Sequence, residues 1–292
     1  MSGYSQASAS KRTIVVVGAT SDVGRTAVRK LTEQGHTVRG VARSLGISLT
    51  DREATDRAFE GADSAYLMIP FNLFVEDLHE FERQIATSLV SAIRGSGIRR
   101  IVLLSGLNAH LKMGTSLGAA EMEDRLDALG LPEFIRLRGG FFNENFIRGM
   151  AFAEQAARGV FATPFRGDLP MPMIAARDIG ERVTDLLNAA TWPSQSVVEL
   201  HGGGYYTFEK ATAILSKAVG RPVSYHTVPL DEARAGMIAS GMSSSFADAL
   251  IDTAASFNRE EGWALETPSP QNTTPTTFER WVEELYASRT AA

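Results

Sequence analysis

The stretch RTIVVVGATSDVGRTAVRKLTEQGHTVRGVAR, residues 12–43, decides the fold. Residues 13–17 form an unbroken apolar run, mostly β-branched, as expected of a strand buried on both faces of a parallel sheet. Gly18 ends the run and a turn, GATSDVG, follows. Val23, Ala27, Val28 and Leu31 then recur at helical spacing, predicting a helix over residues 23–34 that stops at Gly35. Residues 37–42 read as the next strand, with Arg43 at its end. A glycine turn between a buried strand and a helix presents backbone N–H groups and a helix N-terminus to an anion. Gly18 allows the tight exit, and Gly24 lets helix and strand pack closely. The middle glycine of the usual pattern is Ser21, whose hydroxyl can donate to a phosphate. Gly18, Thr20, Ser21, Asp22, Val23, Gly24 and Arg25 are therefore the expected dinucleotide-phosphate residues.

Arg43 refines the cofactor. An NAD site carries Asp or Glu at the end of its second strand, for the ribose 2′-hydroxyl. Here the strand ends in VAR, with no acid before Asp51. A guanidinium fork matches the oxygens of a 2′-phosphate, so NADPH is favoured over NADH, with Arg25 assisting.

The chain has 292 residues, 44% hydrophobic and 22% charged, ordinary for a globular protein. Its net charge of −5 argues against binding nucleic acid through phosphate contacts. It has no cysteine, which excludes disulfides and thiolate chemistry. Its five histidines show no paired ligand spacing, so no metal site is expected. Residues 1–11 read as a disordered polar tail without a signal peptide, no run is long enough for a membrane helix, and a cytoplasmic protein is expected.

Strand and helix patterns alternate onward to residue 137, committing the fold to a doubly wound parallel sheet. The connection after Arg43 is short, and only residues 47–49 are left to make a third strand. Asp51 caps a helix to about residue 59, and residues 64–69 form the fourth strand. A long helix spans 73–96, a fifth strand 99–105, a helix 118–129 and a sixth strand 134–137. Beyond Arg138 the pattern loosens: RGGFFNENFIRGM leads into a helix to about residue 158. A strand and a helix capped by Asp178 follow, then strands near 197–200 and 221–228. Thr207 caps a helix, residues 231–259 are helical with a break near Gly241, and a final helix covers 278–288. The expected division is a cofactor domain over 12–140, its sheet completed by parts of 170–202, and a substrate lobe over 141–292.

The segments VVVGATSDVGR, VRGVAR, GADSAYLMIP, RIVLLSG, FFNENF, ARDIGE and AILSKAVGRPVSY together resemble the NmrA-like branch of the atypical short-chain dehydrogenases, over about residues 12–286. The pattern is most similar to agroclavine and festuclavine dehydrogenases and to bacterial NAD(P)H azoreductase and quinone-reductase-like proteins. The resemblance implies an α/β Rossmann fold with a smaller α+β C-terminal substrate lobe, and NAD(P)(H) binding. The family also holds redox sensors that bind the cofactor without turning it over.

Ordinary short-chain dehydrogenases carry Tyr-x-x-x-Lys at the start of the helix after the fifth strand. The matching positions here are Thr115 and Ala119, or Leu117 and Glu121 in a slipped register. A positioned general acid is worth roughly 10²–10⁴ in rate, so its loss disfavours ketone and alcohol chemistry. It matters less for iminium, quinone or azo acceptors, where hydride lands on an electron-poor centre. The expected chemistry is hydride transfer from NADPH to a small aromatic or cyclic organic molecule. An NADP(H) sensor bound to a partner protein, or a non-redox isomerase or cyclase, are the rival readings, and a homo-oligomer is compatible with all three. Ser105, Asn108 and His110 are the candidate catalytic residues. Met68, Ile69, Pro70, Ser105, Phe142 and Asn143 should complete the cofactor crevice, and Phe71, Met113, Phe141 and Asn145 should face substrate.

Overall fold

The structure, a computed structural model, describes residues 11–192, 196–260 and 263–290; ten of the eleven residues of the expected tail lie outside them. Strands β1 (Thr13–Val17), β2 (Thr37–Val41), β3 (Ser64–Leu67), β4 (Arg100–Gly106), β5 (Glu133–Gly139) and β9 (Val197–Leu200) form one parallel sheet in the order β2-β1-β3-β4-β5-β9. Helices α2 (Arg52–Phe59), α3 (Leu78–Ser96) and α4 (Leu117–Asp127) cover one face, and α1 (Asp22–Glu33) and α6 (Ala176–Asn188) the other. The alternation in β1 explains why it reads as continuously apolar. Val15 and Val17 enter the first core, Ile14 and Val16 the second, all fully buried. Each such side chain contributes about 1.5–3 kcal/mol on burial.

The expected third strand at residues 47–49 does not form. After Ala42 the chain closes into a 3₁₀ turn, Arg43–Leu45, with Leu45 N–H and Ile47 N–H both bonding to the Ala42 carbonyl. Those turn bonds consume the backbone groups a strand would offer, and β2 is left as the edge of the sheet. Asp51 caps α2 as expected, its carboxylate accepting from Ala54 N–H at 3.0 Å.

The remaining elements build the lobe. Strand β8 (Met171–Ile174) lies between β6 (Phe141–Phe142) and β10 (Gly204–Tyr206), while β7 (Val160–Thr163) pairs with β11 (Ser224–Thr227). Around them pack α5 (Phe152–Ala156), α7 (Phe208–Ala218), α8 (Leu230–Ala239), α9 (Ser244–Asn258) and α10 (Phe278–Thr290). Of the strands expected within 170–202, β9 joins the main sheet, whereas β8 belongs to the lobe. The lobe core is aromatic: Phe146, Phe152, Phe161, Phe165, Phe208 and Phe278 are all buried. The helix expected to reach residue 158 is only α5, preceded by a 3₁₀ turn at Asn143–Phe146 and by Ala151 in the left-handed region, φ +49°. Asp178 does not cap α6. It sits inside the first turn and accepts from the backbone and hydroxyl of Thr276, at 3.1 and 2.7 Å. Among the described residues no helix is long and apolar enough to cross a membrane.

Candidate active site

The turn after β1 is built for close approach. Gly18 has φ +70°, and its N–H bonds to the Val41 carbonyl at 2.8 Å, strapping the turn to β2. A Cβ on Gly24 would stand 2.1 Å from the Gly18 carbonyl oxygen, so no other residue fits there. Ser21 is the N-cap of α1: its Oγ accepts from Gly24 N–H at 3.0 Å. That bond engages the oxygen's lone pair and leaves the hydroxyl proton to donate outward. The first N–H groups of α1 have no carbonyl four residues back, and they face the same mouth.

Three arginines surround this turn. Arg25 donates to the Thr20 carbonyl at 3.1 Å and pairs with Asp22. Arg148, from the segment after β6, reaches across to Asp22 at 2.8 Å. Arg43 is exposed, and its guanidinium has no hydrogen bond or ion pair to another described residue; beside it, Ser44 Oγ donates to Thr20 Oγ1 at 3.2 Å. Arg25 is thus held at the turn itself, whereas Arg43 stands free at the end of β2.

The carboxyl ends of β3, β4 and β5 form the floor beyond the turn. Met68 covers Gly18, its Sδ 2.9 Å from where a Cβ would be; Ile69 is buried and Pro70 half-buried behind it. Ser105 lies in β4 opposite Arg138 of β5, buried, with no partner for its Oγ among the described residues. Asn108 is buried in the following 3₁₀ turn, where its Oδ1 accepts from Ser116 Oγ at 2.7 Å and its Nδ2 has no described partner. Asn143 is fully buried, and neither end of its amide is bonded to a described residue. A buried polar group without a partner costs about 1–3 kcal/mol, so these four atoms make Ser105, Asn108 and Asn143 the candidate ligand-facing residues.

Other expected residues are placed differently. His110 is half-buried, its Nδ1 3.1 Å from the Leu107 carbonyl. The Phe141 ring packs edge-on against Phe146, Phe165 and Phe208 in the lobe core. Phe142 turns the other way, onto the sheet, and Asn145 is half-buried, its carbonyl taken by Met150 N–H. Phe71 is exposed beside the buried Phe246 of α9, their centroids 6.4 Å apart, and Met113 precedes the 3₁₀ turn Gly114–Ser116.

Helix α9 packs against Thr115, one of the two positions matched to the tyrosine of the Tyr-x-x-x-Lys pair. Thr253 Oγ1 accepts from Thr115 N–H at 2.9 Å and lies 3.1 Å from the Thr115 hydroxyl. A Cβ on Gly114 would be 2.3 Å from the same oxygen. Nearby, the Glu82 carboxylate is buried 2.8 Å from His79 Nδ1, in space that a Cβ on Gly118 would fill. Burial pushes the Glu82 carboxyl up, partly offset by His79 and Arg83, while Glu121 adds to the rise. Arg138 makes a buried two-point pair with Glu123, at 3.1 and 2.6 Å.

Sequence reasoning did not find Ser116, Thr253, Glu82 or Arg148, because each acts through a contact between distant segments. Among the described residues no cluster of His, Asp and Glu can hold a metal ion.

The glycine turn between β1 and α1 and the parallel sheet with helices on both faces define a Rossmann-type fold. Residues 10–282 match the model of the NmrA-like family, and the chain belongs to it. It is 27% identical over 257 residues to NAD(P)H azoreductase of Xenophilus azovorans, covering 81% of this chain and 84% of that protein. Among solved structures it is similar to the NADPH-dependent quinone oxidoreductase of Escherichia coli complexed with NADPH: TM-score 0.71, 20% identity, 94% and 99% of the two chains covered. It is also similar to NmrA, a negative transcriptional regulator solved with NADP: TM-score 0.62, 19% identity, 96% and 92% covered.

Proposed function

We propose that this chain is an NADPH-dependent oxidoreductase that delivers hydride to an electron-poor organic acceptor of the iminium, quinone or azo type. The observation that carries the reading is the set of unpartnered buried atoms on Ser105, Asn108 and Asn143, in a fold whose β1–α1 turn is held tight by Gly18 and Gly24. A dinucleotide fits both features. Its pyrophosphate suits the N–H groups of Thr20, Asp22 and Val23 and the Ser21 hydroxyl, its 2′-phosphate suits Arg43, and its polar nicotinamide end suits Asn143 and Ser105. When bound, the cofactor supplies the hydride.

The chain's own groups then position and shield. Met68 and Ile69 close the floor against water, and Phe71 and Phe246 offer an apolar wall for a flat acceptor. Ser105 Oγ–H and Asn108 Nδ2–H are the donors that meet negative charge developing on the acceptor. Position 115 carries a threonine packed against Thr253, so no phenol stands at that position to protonate an alkoxide. This favours acceptors whose reduced forms take their proton from water. The azoreductase and quinone oxidoreductase relatives support the class of reaction.

The test is incubation with NADPH and a panel of quinones, azo dyes and cyclic iminium ions, followed at the nicotinamide absorbance. Oxidation that depends on both protein and acceptor supports the reading. Tight NADPH binding without oxidation by any acceptor favours a cofactor sensor instead.

A further inference from the structure

On the far edge of the main sheet lies a second polar constellation that the reductase reading does not use. His201 follows β9 and is fully buried. Its Nδ1 is 2.6 Å from the hydroxyl of Tyr205, and the two rings stack with centroids 6.0 Å apart. Its other nitrogen, Nε2, faces the Glu199 carboxylate at 3.3 Å and has no hydrogen-bond partner among the described residues. Glu199 is buried as well, and its two oxygens accept from the backbone N–H groups of Leu265 and Glu266 at 3.0 and 2.9 Å. Burial opposes its charge, but His201 and those two N–H groups outweigh burial and hold the carboxyl below its usual range. The phenol at the outer end is 38% exposed.

The glycine run in HGGGYY makes this geometry. A Cβ on Gly202 would be 2.0 Å from the Met173 carbonyl oxygen, and one on Gly203 would be 2.1 Å from that of Thr276. Only glycine lets the chain pass between β8 and the segment before α10, folding Tyr205 back onto the imidazole four residues earlier. Two other phenols of the lobe are engaged differently. Tyr206 donates to Glu279 and Tyr225 donates to the Phe165 carbonyl.

We propose that Glu199, His201 and Tyr205 form a nucleophilic site that accepts an acyl group from activated esters onto the Tyr205 oxygen. A hydroxyl within hydrogen-bond reach of a base, the base backed by a carboxylate, is the general arrangement that activates a weak nucleophile. Burial and the Glu199 charge hold the Tyr205 phenol above its usual range, so it stays protonated and needs a base at the moment of attack. Tyr205 Oη attacks the carbonyl carbon and its proton passes to His201 Nδ1. The bond from carbonyl carbon to leaving oxygen breaks, the leaving group departs as its anion, and His201 later releases the proton to solvent. Glu199 stabilises the imidazolium meanwhile. Tyr205 and Glu199 face the imidazole directly. Glu266 stands behind Glu199, its own carboxylate held by Asn272 at 3.2 Å.

The probe is p-nitrophenyl acetate on the full chain. The expected result is a burst of one p-nitrophenolate per chain, with the acetyl group found on Tyr205 by peptide mass spectrometry. Tyr205→Phe abolishes the burst while leaving NADPH binding unchanged. His201→Asn slows acetylation of Tyr205 by about a hundredfold, the scale of a positioned general base. Acetylation spread over lysines without preference for Tyr205, or an unchanged rate in His201→Asn, overturns the proposal. Should His201→Asn not fold, His201→Gln decides: acetylation of Tyr205 must slow by a similar factor, and an unchanged rate overturns the proposal.

Discussion

Arg43 stands just past the end of the second strand, and its guanidinium has no hydrogen bond or ion pair to another described residue. A free guanidinium at that point is the feature that separates the two nicotinamide cofactors. Hydrogen bonds to a charged group contribute about 1.5–3 kcal/mol, so Arg43→Ala should weaken NADPH about tenfold to a hundredfold and NADH hardly at all. Titration of cofactor fluorescence checks this, and equal losses for both would remove Arg43 from its role. Asn143 makes a prediction of opposite sign on two axes. Its amide is buried and lacks described partners, a standing cost to the free protein of about 1–3 kcal/mol. Asn143→Leu, similar in shape, should therefore stabilise the free chain in denaturant unfolding while weakening NADPH. A purely structural asparagine would lose stability on the same change. At this scale the sequence was legible wherever a residue acts through local backbone: Gly18, Gly24 and Asp51 do what their spacing says. Phe141 illustrates the limit, since alternation along a two-residue strand does not say which of Phe141 and Phe142 enters the aromatic core.

At the scale of elements, the join between β1 and α1 leaves no space. Gly24→Ala places a methyl carbon 2.1 Å from the Gly18 oxygen, and overpacking of this kind costs about 1–3 kcal/mol. Loss of stability together with loss of cofactor binding is the expected outcome, measured by thermal unfolding with and without NADPH. The α3–α4 contact contributes to the pH dependence. Because burial raises the Glu82 carboxyl, the folded chain keeps that proton to a higher pH than the unfolded chain does. This contribution is fully present below the usual carboxylate range and is lost as pH rises through the raised value. Glu82→Gln should flatten that part of the stability–pH curve; an unchanged curve would show that His79 and Arg83 already compensate the charge. The strand and helix series was readable here because each element has its own period and cap. The missing strand at 47–49 was not, because a run of three apolar-flanked residues does not distinguish a strand from the turn bonds to Ala42 that form instead. Nor does local sequence say that α9 packs on Thr115, a contact spanning 138 residues.

At the scale of the whole molecule, the lobe is tied to the Rossmann sheet unit by Arg148, which pairs with Asp22, and by α9, which packs on Thr115. The sheet half was legible because each of its strands and helices carries its own hydrophobic period. The lobe was less so, since its aromatic core fixes a shape without naming a ligand. Binding should couple to folding: NADPH at a hundred times its dissociation constant adds about 2.7 kcal/mol of stability and raises the melting temperature accordingly. The central claim is hydride transfer without the tyrosine–lysine pair. Its most direct test is single-turnover decay of the nicotinamide absorbance with a quinone, azo or iminium acceptor, comparing NADPH with NADPH deuterated at the transferring position. The account predicts acceptor-dependent decay that is slower with deuterium. An absorbance that stays constant with every acceptor, while NADPH remains bound, would contradict it.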